Sequence, residues 1–429
     1  MIVKRVEKVK QVRGFNQSAW KHLLPVLLIL LLTGMSWSTT AAQTRAYVTN
    51  FFSDTVSVIN TTNNTLVTTI PVGSHPIAVA TTPDAARVYV ANQNSANVSV
   101  INTATNAVIA TVAVGIGPSG VAITPNGTRA YVTNQGSDTV SIINTATNTV
   151  VTTVPVGVAP FAVVISPNGT RAYVTNRLSN SVTVINTADN TIITTIAVGV
   201  DPFAVATSPD GTRAYVANTY SNTVSVIDTS NNTVIATITV GSAPIAIAVA
   251  DTPNNGTRVY VVNQSSHNVT VINAATNAVI TTVAVGFYPS GVAITSDGAS
   301  AYVTNQGSGT VSEIDTTTNA VTGTVSTNGV CPFGIAIPPD PLVPTAAPVT
   351  VGGRVMWDLG KGIFRARLNL TDDEGNTRTT FTNPFGYYRF EGVEVGKTYI
   401  LTVSSKNHQF APQILTINEE IVNLNFTMR

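Results

Sequence analysis

Side chains able to do chemistry are few in this chain of 429 residues. A single cysteine, Cys331, excludes an internal disulfide framework, a cysteine-based zinc site and covalent haem attachment through a Cys-x-x-Cys-His motif. The histidines are His22, His75, His267 and His408. None belongs to an HExxH motif, no GxSxG or Walker pattern is present, and no acidic cluster has metal-ligand spacing. Cys331 and His75 precede equivalent strands, so a thiolate–imidazole pair would be the sharpest catalytic arrangement on offer. A haem would have to take His75 or His267 as its axial ligand. Between residues 43 and 345 there are seven arginines and no lysine. Six of them, Arg45, Arg87, Arg129, Arg171, Arg213 and Arg258, stand two residues before a tyrosine. Arg177 does not, and a cation outside the common register needs its own explanation.

That register is a repeat. Tyr47, Tyr89, Tyr131, Tyr173, Tyr215, Tyr260 and Tyr302 each open a Tyr-Val-x-Asn unit, at spacings of 42, 42, 42, 42, 45 and 42 residues. A fixed period of this size indicates a solenoid, a propeller or an array. Residues 202–241 show the unit: 203–207 reads as strand A, Ser208-Pro-Asp-Gly211 as a turn, 213–218 as B, 223–228 as C and 233–240 as D. The segments are rich in Val, Ile and Thr, which suit a pleated surface, and none reads as a helix. Four short antiparallel strands per unit make one propeller blade. The first unit lacks strand A, while 331–337 matches strand A and has no B, C or D after it. The spacing predicts an all-β fold: a seven-bladed propeller closed by that C-terminal strand, then a small β-sandwich.

Only 10% of the residues are charged. Residues 1–42 hold six Lys/Arg and one Glu, leaving 16 basic and 20 acidic groups in the rest. That remainder has no basic surplus for phosphates, so nucleic acid is not an expected partner. The basic start, the apolar run at 23–32 and the small residues Thr40-Ala41-Ala42 read as a cleaved export signal. The run is about half the roughly 20 residues a spanning helix needs, so no stable membrane span is expected after cleavage. The protein is expected to be periplasmic, surface-bound or secreted.

The Tyr-Val-Thr-Asn units at 47–50, 131–134, 173–176 and 302–305, with Val-Ser-Val-Ile at 56–59 and 224–227, resemble the YVTN family of β-propeller repeats of bacterial and archaeal surface-layer proteins. After a Pro-rich linker at 341–349, residues 350–429 change composition and alternate as half-buried strands near 351–355, 364–370, 387–390, 398–403 and 421–426. Gly353-Arg-Val355 and Thr382-Asn-Pro-Phe-Gly-Tyr-Tyr-Arg-Phe390 resemble a carboxypeptidase-regulatory-like domain of transthyretin type. That resemblance implies a small β-sandwich without catalysis of its own. Asn383 stands where the family often has an acidic residue, against a calcium role.

Strand alternation puts the B–C and D–A loops on one face of the propeller, and the irregular side chains gather there. They are Phe51, Phe52, His75, Arg177, Asp201, Tyr220, His267 and Tyr288. Loops on a rigid scaffold are where binding residues concentrate. The plain alternatives are that Arg177 and Asp201 form an ordinary surface pair and that Phe51 and Phe52 cap the core beside the closure. Glu313 replaces a repeat Val, and residues 251–255 carry a three-residue insertion. The sequence thus predicts an exported, non-catalytic envelope protein using this face to recognise protein or glycan, with no metal and no cofactor. Two alternatives stay open: a periplasmic propeller enzyme of lactonase or redox type with its site at the channel mouth, and a purely structural envelope component.

Overall fold

The computed structural model describes residues 45–339, 349–357, 361–372, 376–393, 398–405, 408–410, 412–417 and 424–428. The expected export signal at 1–42, the expected linker residues 341–348 and the expected turn residues 373–375 and 395–397 lie outside the described residues.

Each repeat folds as a four-stranded antiparallel sheet, and the described residues contain seven of them. In the first, Arg45–Asn50 pairs along its length with Thr55–Asn60, which pairs with Thr65–Pro71. Its innermost strand is the distant Pro332–Ala336, which joins Arg45–Asn50 with Val48 opposite Ile335. Innermost strands touch their neighbours around the ring, and Pro332–Ala336 touches Pro76–Thr81. The expected closure is therefore present.

The repeat motif is explained letter by letter. The tyrosines are buried between blades, and the hydroxyls of Tyr89, Tyr131, Tyr215, Tyr260 and Tyr302 cross to the next one. Tyr89 donates to Asn148 Oδ1 at 2.8 Å and Tyr131 to Asn190 Oδ1 at 2.7 Å. Where present, the motif's Thr ties its blade to the next innermost strand, as Thr133 Oγ1 does to the Phe161 carbonyl at 2.6 Å. The Asn clasps its own hairpin: Asn92 Nδ2 donates to Asn97 Oδ1 and Ser99 Oγ at 2.8 and 2.9 Å. A Cβ on Gly73 would lie 2.7 Å from the Asn92 side chain, so the glycine before each D–A loop is a packing requirement.

Four of the six register arginines donate to main-chain carbonyls in the next blade. Arg45 reaches the Thr103 carbonyl at 2.7 Å and Arg87 that of Thr145 at 2.5 Å, while Arg171 and Arg213 reach Thr229 and Ala274. Arg258 departs from this pattern. The insertion brings Asn255 Nδ2 to the Thr316 and Thr317 carbonyls, both at 3.2 Å, and Arg258 turns back to the Thr257 carbonyl. In the seventh blade Ser300 stands at the arginine position, and Glu313 compensates. Its carboxylate accepts from Asn64 Nδ2 at 2.7 Å, Ser300 Oγ at 2.9 Å and Tyr302 Oη at 3.2 Å, binding the last blade to the first. Glu313 is partnered, as a part-buried carboxylate must be.

The C-terminal sandwich packs two sheets. One holds Tyr387–Val393, Val349–Trp357 and, in parallel, Phe426–Met428. The other is built on Arg367–Thr371 and Thr398–Ser405, with Thr377–Phe381, His408–Gln409 and Gln413–Thr416 beside them. Val351, Leu368, Leu370, Phe390, Leu401 and Phe426 are buried between them. The strands 377–381 and 413–416 were not visible as alternation. The former reads Thr-Arg-Thr-Thr-Phe and buries no face.

The buried tyrosines make the fold sensitive to alkali. Burial raises the pKa of Tyr47, Tyr89, Tyr131, Tyr215, Tyr260 and Tyr302 above 10.0, that of Tyr260 to about 12, and the Glu313 carboxylate adds to the rise at Tyr302. A raised folded-state pKa contributes stability that is intact below pH 10 and is lost as the pH climbs through the folded values. Tyrosinate absorbance should therefore appear together with loss of the β circular dichroism signal above pH 10, as one cooperative step. Independent titration of most tyrosines near pH 10 in the intact fold would contradict this.

Candidate functional site

The D–A and B–C loops share one face, and their geometry is fixed by side chains from the loops themselves. At the second residue before each innermost-strand Pro, the backbone N–H is held by a serine hydroxyl of the B–C turn. Ser95, Ser137, Ser179, Ser221, Ser266, Ser308 and Ser53 hold Ser74, Ile116, Val158, Val200, Ser242, Phe287 and Val330 at 2.6 to 2.8 Å. The residue that follows is left-handed in every blade, at φ 55 for His75, 56 for Asp201, 49 for Tyr288 and 62 for Cys331. In five blades its N–H is also accepted by a turn side chain. Asp54 holds His75, Asp138 Ala159, Asn180 Asp201, Asn222 Ala243 and His267 Tyr288. His267 thus does in its blade what Asp or Asn does in the others. It looked irregular by residue type but occupies a repeat position. The recurring serine, three residues after each motif Asn, was legible and was missed because Ser is common throughout.

The structure gathers the predicted residues into three groups around the mouth rather than one. In the first, His75 lies edge-on to Phe51 and Phe52 at 4.6 and 5.8 Å, and Phe51 packs towards Phe333 beside the ring closure. His75 Nδ1 sits 2.7 Å from Asn94 Nδ2, which assigns the ring proton to Nε2. In the second, His267 packs against Phe287 and Tyr288 at 5.3 and 4.9 Å. Accepting the Tyr288 N–H at Nδ1 leaves Nε2 as the donor of the neutral ring. Tyr220 stands apart, exposed on its loop tip. Among the described residues no group of three or more His, Cys, Asp or Glu is placed to hold a metal ion.

The third group has the most directed chemistry. Arg177 Nε and Nη2 meet Asp201 Oδ1 and Oδ2 at 2.7 and 3.0 Å, a bidentate pair. The side chains are 25% and 5% exposed, so this is not an ordinary surface pair. The guanidinium also lies 4.8 Å above the Phe203 ring and 5.4 Å above Phe161, two rings of the innermost strands. Two of its five N–H donors are spent on Asp201. Behind the mouth, a cavity of about 230 Å³ runs into the channel, lined by Ile77, Phe161, Phe203, Ile245 and Phe333 among others. The Ser119 and Ser290 hydroxyls there donate to the Pro160 and Pro332 carbonyls.

Residues 120–284 match the family model described as lactonase, 7-bladed beta-propeller. That is a lactonase signal. It covers four of the seven blades and contains Arg177, Asp201, Tyr220 and His267. No curated protein matches the sequence. Solved structures of similar fold include the periplasmic gluconolactonase PpgL of Pseudomonas aeruginosa, with 17% identity and TM-score 0.58 over 69% of this chain and 99% of that one. A functionally unknown protein of Desulfotomaculum acetoxidans has 20% identity and TM-score 0.61 over 69% and 99%. Hydrazine synthase of Kuenenia stuttgartiensis has 23% identity and TM-score 0.54 over 60% and 88%. At these identities the structures support the fold, a seven-bladed β-propeller. The family match overturns the expectation of a non-catalytic recognition or scaffold protein and points to an enzyme. The sequence reading holds a lactonase-type enzyme only as an alternative, because no local catalytic motif exists to be read. The groups at the mouth come from loops of different blades.

Proposed function

We propose that this chain is a hydrolase that opens a cyclic ester at the channel mouth, with Arg177 as the group that meets the carbonyl oxygen. The lactonase match over the blades that carry Arg177 and Asp201 is the observation behind this reading. Water attacks the lactone carbonyl carbon, and its oxygen becomes that of the new carboxylate. The acyl–oxygen bond of the ring breaks, the ring oxygen leaves as a hydroxyl, and one proton is released at neutral pH. Charge develops on the carbonyl oxygen in the tetrahedral intermediate. The N–H groups of Arg177 not bound to Asp201 are suited to that oxygen, and Asp201 fixes their direction. His75 and His267 add Nε2–H donors on the same face.

The test is proton release over a lactone panel, alkyl and sugar, with the uncatalysed rate subtracted. Arg177→Lys keeps a charge but loses the planar fork. It should lower kcat by about 10²-fold, the scale of one oxyanion donor, with the melting temperature measured alongside. No turnover on any lactone would end the reading. The same proposal places the protein outside the cytoplasm after signal cleavage. It also assigns the repeats to the YVTN type and residues 350–429 to the carboxypeptidase-regulatory-like type. Among the described residues no helix is long and apolar enough to cross a membrane.

A further inference from the structure

We infer that the lactone taken at this mouth is a neutral one with an apolar tail, not a phosphorylated or polyhydroxylated sugar lactone. The inference rests on the lactonase reading above and narrows its substrate. Two observations carry it, one of shape and polarity and one of charge.

The rim beside Arg177 and Asp201 is apolar and exposed. Leu178 follows Arg177 and is 74% exposed, and Tyr220 on the next loop is 76% exposed. Each is hydrogen-bonded through its backbone to an exposed valine of the facing loop, Leu178 N–H to the Val158 carbonyl and Tyr220 N–H to that of Val200, both at 3.3 Å. Val200 in turn precedes Asp201. An apolar rim of loop tips is therefore tied to the loops that carry Arg177 and Asp201. These tips cannot fold inward to hide, because the serine and left-handed backbone contacts described above fix them. Preordered apolar groups kept in water are available to a ligand at little conformational cost. Inward, the cavity is lined by Ile77, Phe161, Phe203, Ile245 and Phe333 among others, with polar and apolar atoms sharing its surface about equally, so the apolar character belongs to the rim. The cavity's two serine hydroxyls are already donating to backbone carbonyls. A sugar lactone would bring several hydroxyls against the rim side chains Val158, Leu178, Val200 and Tyr220, and each hydroxyl buried there without a partner costs about 1–3 kcal/mol.

The charge argues the same way. Residues 43–345 contain no lysine, and the register arginines that donate to the next blade do so at the turns following strand C, on the opposite face. At the mouth Arg177 is matched by Asp201, while Asp54 and Asp138 add carboxylates in the loop turns. A phosphate would meet net negative charge there, without the cluster of Arg, Lys or main-chain donors that phosphate binding uses.

The experiment compares kcat/KM of the full chain for γ-butyrolactone, γ-lactones with alkyl tails of increasing length, glucono-δ-lactone and its 6-phosphate. The expected result is a rise of about two- to fourfold per added methylene, the factor for moving one CH₂ out of water, with the sugar lactones the poorest substrates. Leu178→Ser and Val200→Ser should each flatten that rise at unchanged melting temperature. Turnover of the sugar lactones equal to or better than the alkyl series, with no dependence on tail length, would overturn this inference and leave the lactonase reading standing. Turnover of none would overturn both.

Discussion

A chain ending at residue 328 should fail to form the propeller, whereas one ending at residue 339 should melt with a single cooperative transition. The difference is the strand Pro332–Ala336 and its flanks. Without it, Arg45–Asn50, buried except at Arg45, becomes an open sheet edge facing the channel. The Thr49 hydroxyl loses the Gly334 N–H it accepts at 2.8 Å, and the Phe51 N–H loses the Cys331 carbonyl at 3.0 Å. Phe333, Ile335 and Ile337 leave the clusters they complete around Ala46, Val48 and Tyr302 and around Ile77 and Phe161. At about 1.5–3 kcal/mol for each large apolar side chain and about 1 kcal/mol for each net hydrogen bond, the loss approaches the whole stability of a typical domain, about 5–15 kcal/mol. Size-exclusion chromatography and thermal melts of the two chains decide the matter. A cooperative melt of the shorter chain within a few degrees of the longer one would show that closure is not what holds the ring.

That dependence is legible in the amino-acid sequence because its signature is positional. A strand A without followers and a strand B without a predecessor can be matched by eye when the repeat is strict. The same strictness hid other things. His267 looked like an irregular functional residue, yet it accepts a backbone N–H as Asp54, Asp138, Asn180 and Asn222 do. A residue type can change while the task stays. Conversely, Arg177 and Asp201 were visible as oddities, but not their burial. That depends on Phe161 and Phe203, which look like any strand residue until the ring brings two innermost strands together. The arginine register showed a structural role without showing its target, because the receiving carbonyl lies 58 to 61 residues away in the next blade. Periodicity reveals what is shared between blades. Chemistry at the mouth depends on what is not shared, and on which unlike residues become neighbours across blades.

The Arg177–Asp201 pair should respond asymmetrically to its two single substitutions. Arg177→Ala leaves the Asp201 carboxylate, 5% exposed, without its partner, and breaking a buried pair from one side typically costs about 3–5 kcal/mol. It also removes the stacking on Phe161 and Phe203, worth about 0.5–2 kcal/mol. Asp201→Gly should cost less, for two reasons. Arg177 is 25% exposed and can turn its charge toward water. Glycine also relaxes a backbone held at φ 56, a position that Gly117 occupies in another blade. In a double-mutant cycle by chemical denaturation, the combined variant should be more stable than Arg177→Ala alone, since it no longer strands a charge. A combined cost equal to the sum of the two singles would mean that the carboxylate is solvated in solution and the pair is an ordinary surface contact. The cycle also bears on the chemistry. A pair that contributes little net stability yet is held above two aromatic rings is better explained by the direction it gives the remaining guanidinium N–H groups. Arg177→Lys would then lose turnover out of proportion to its loss of stability.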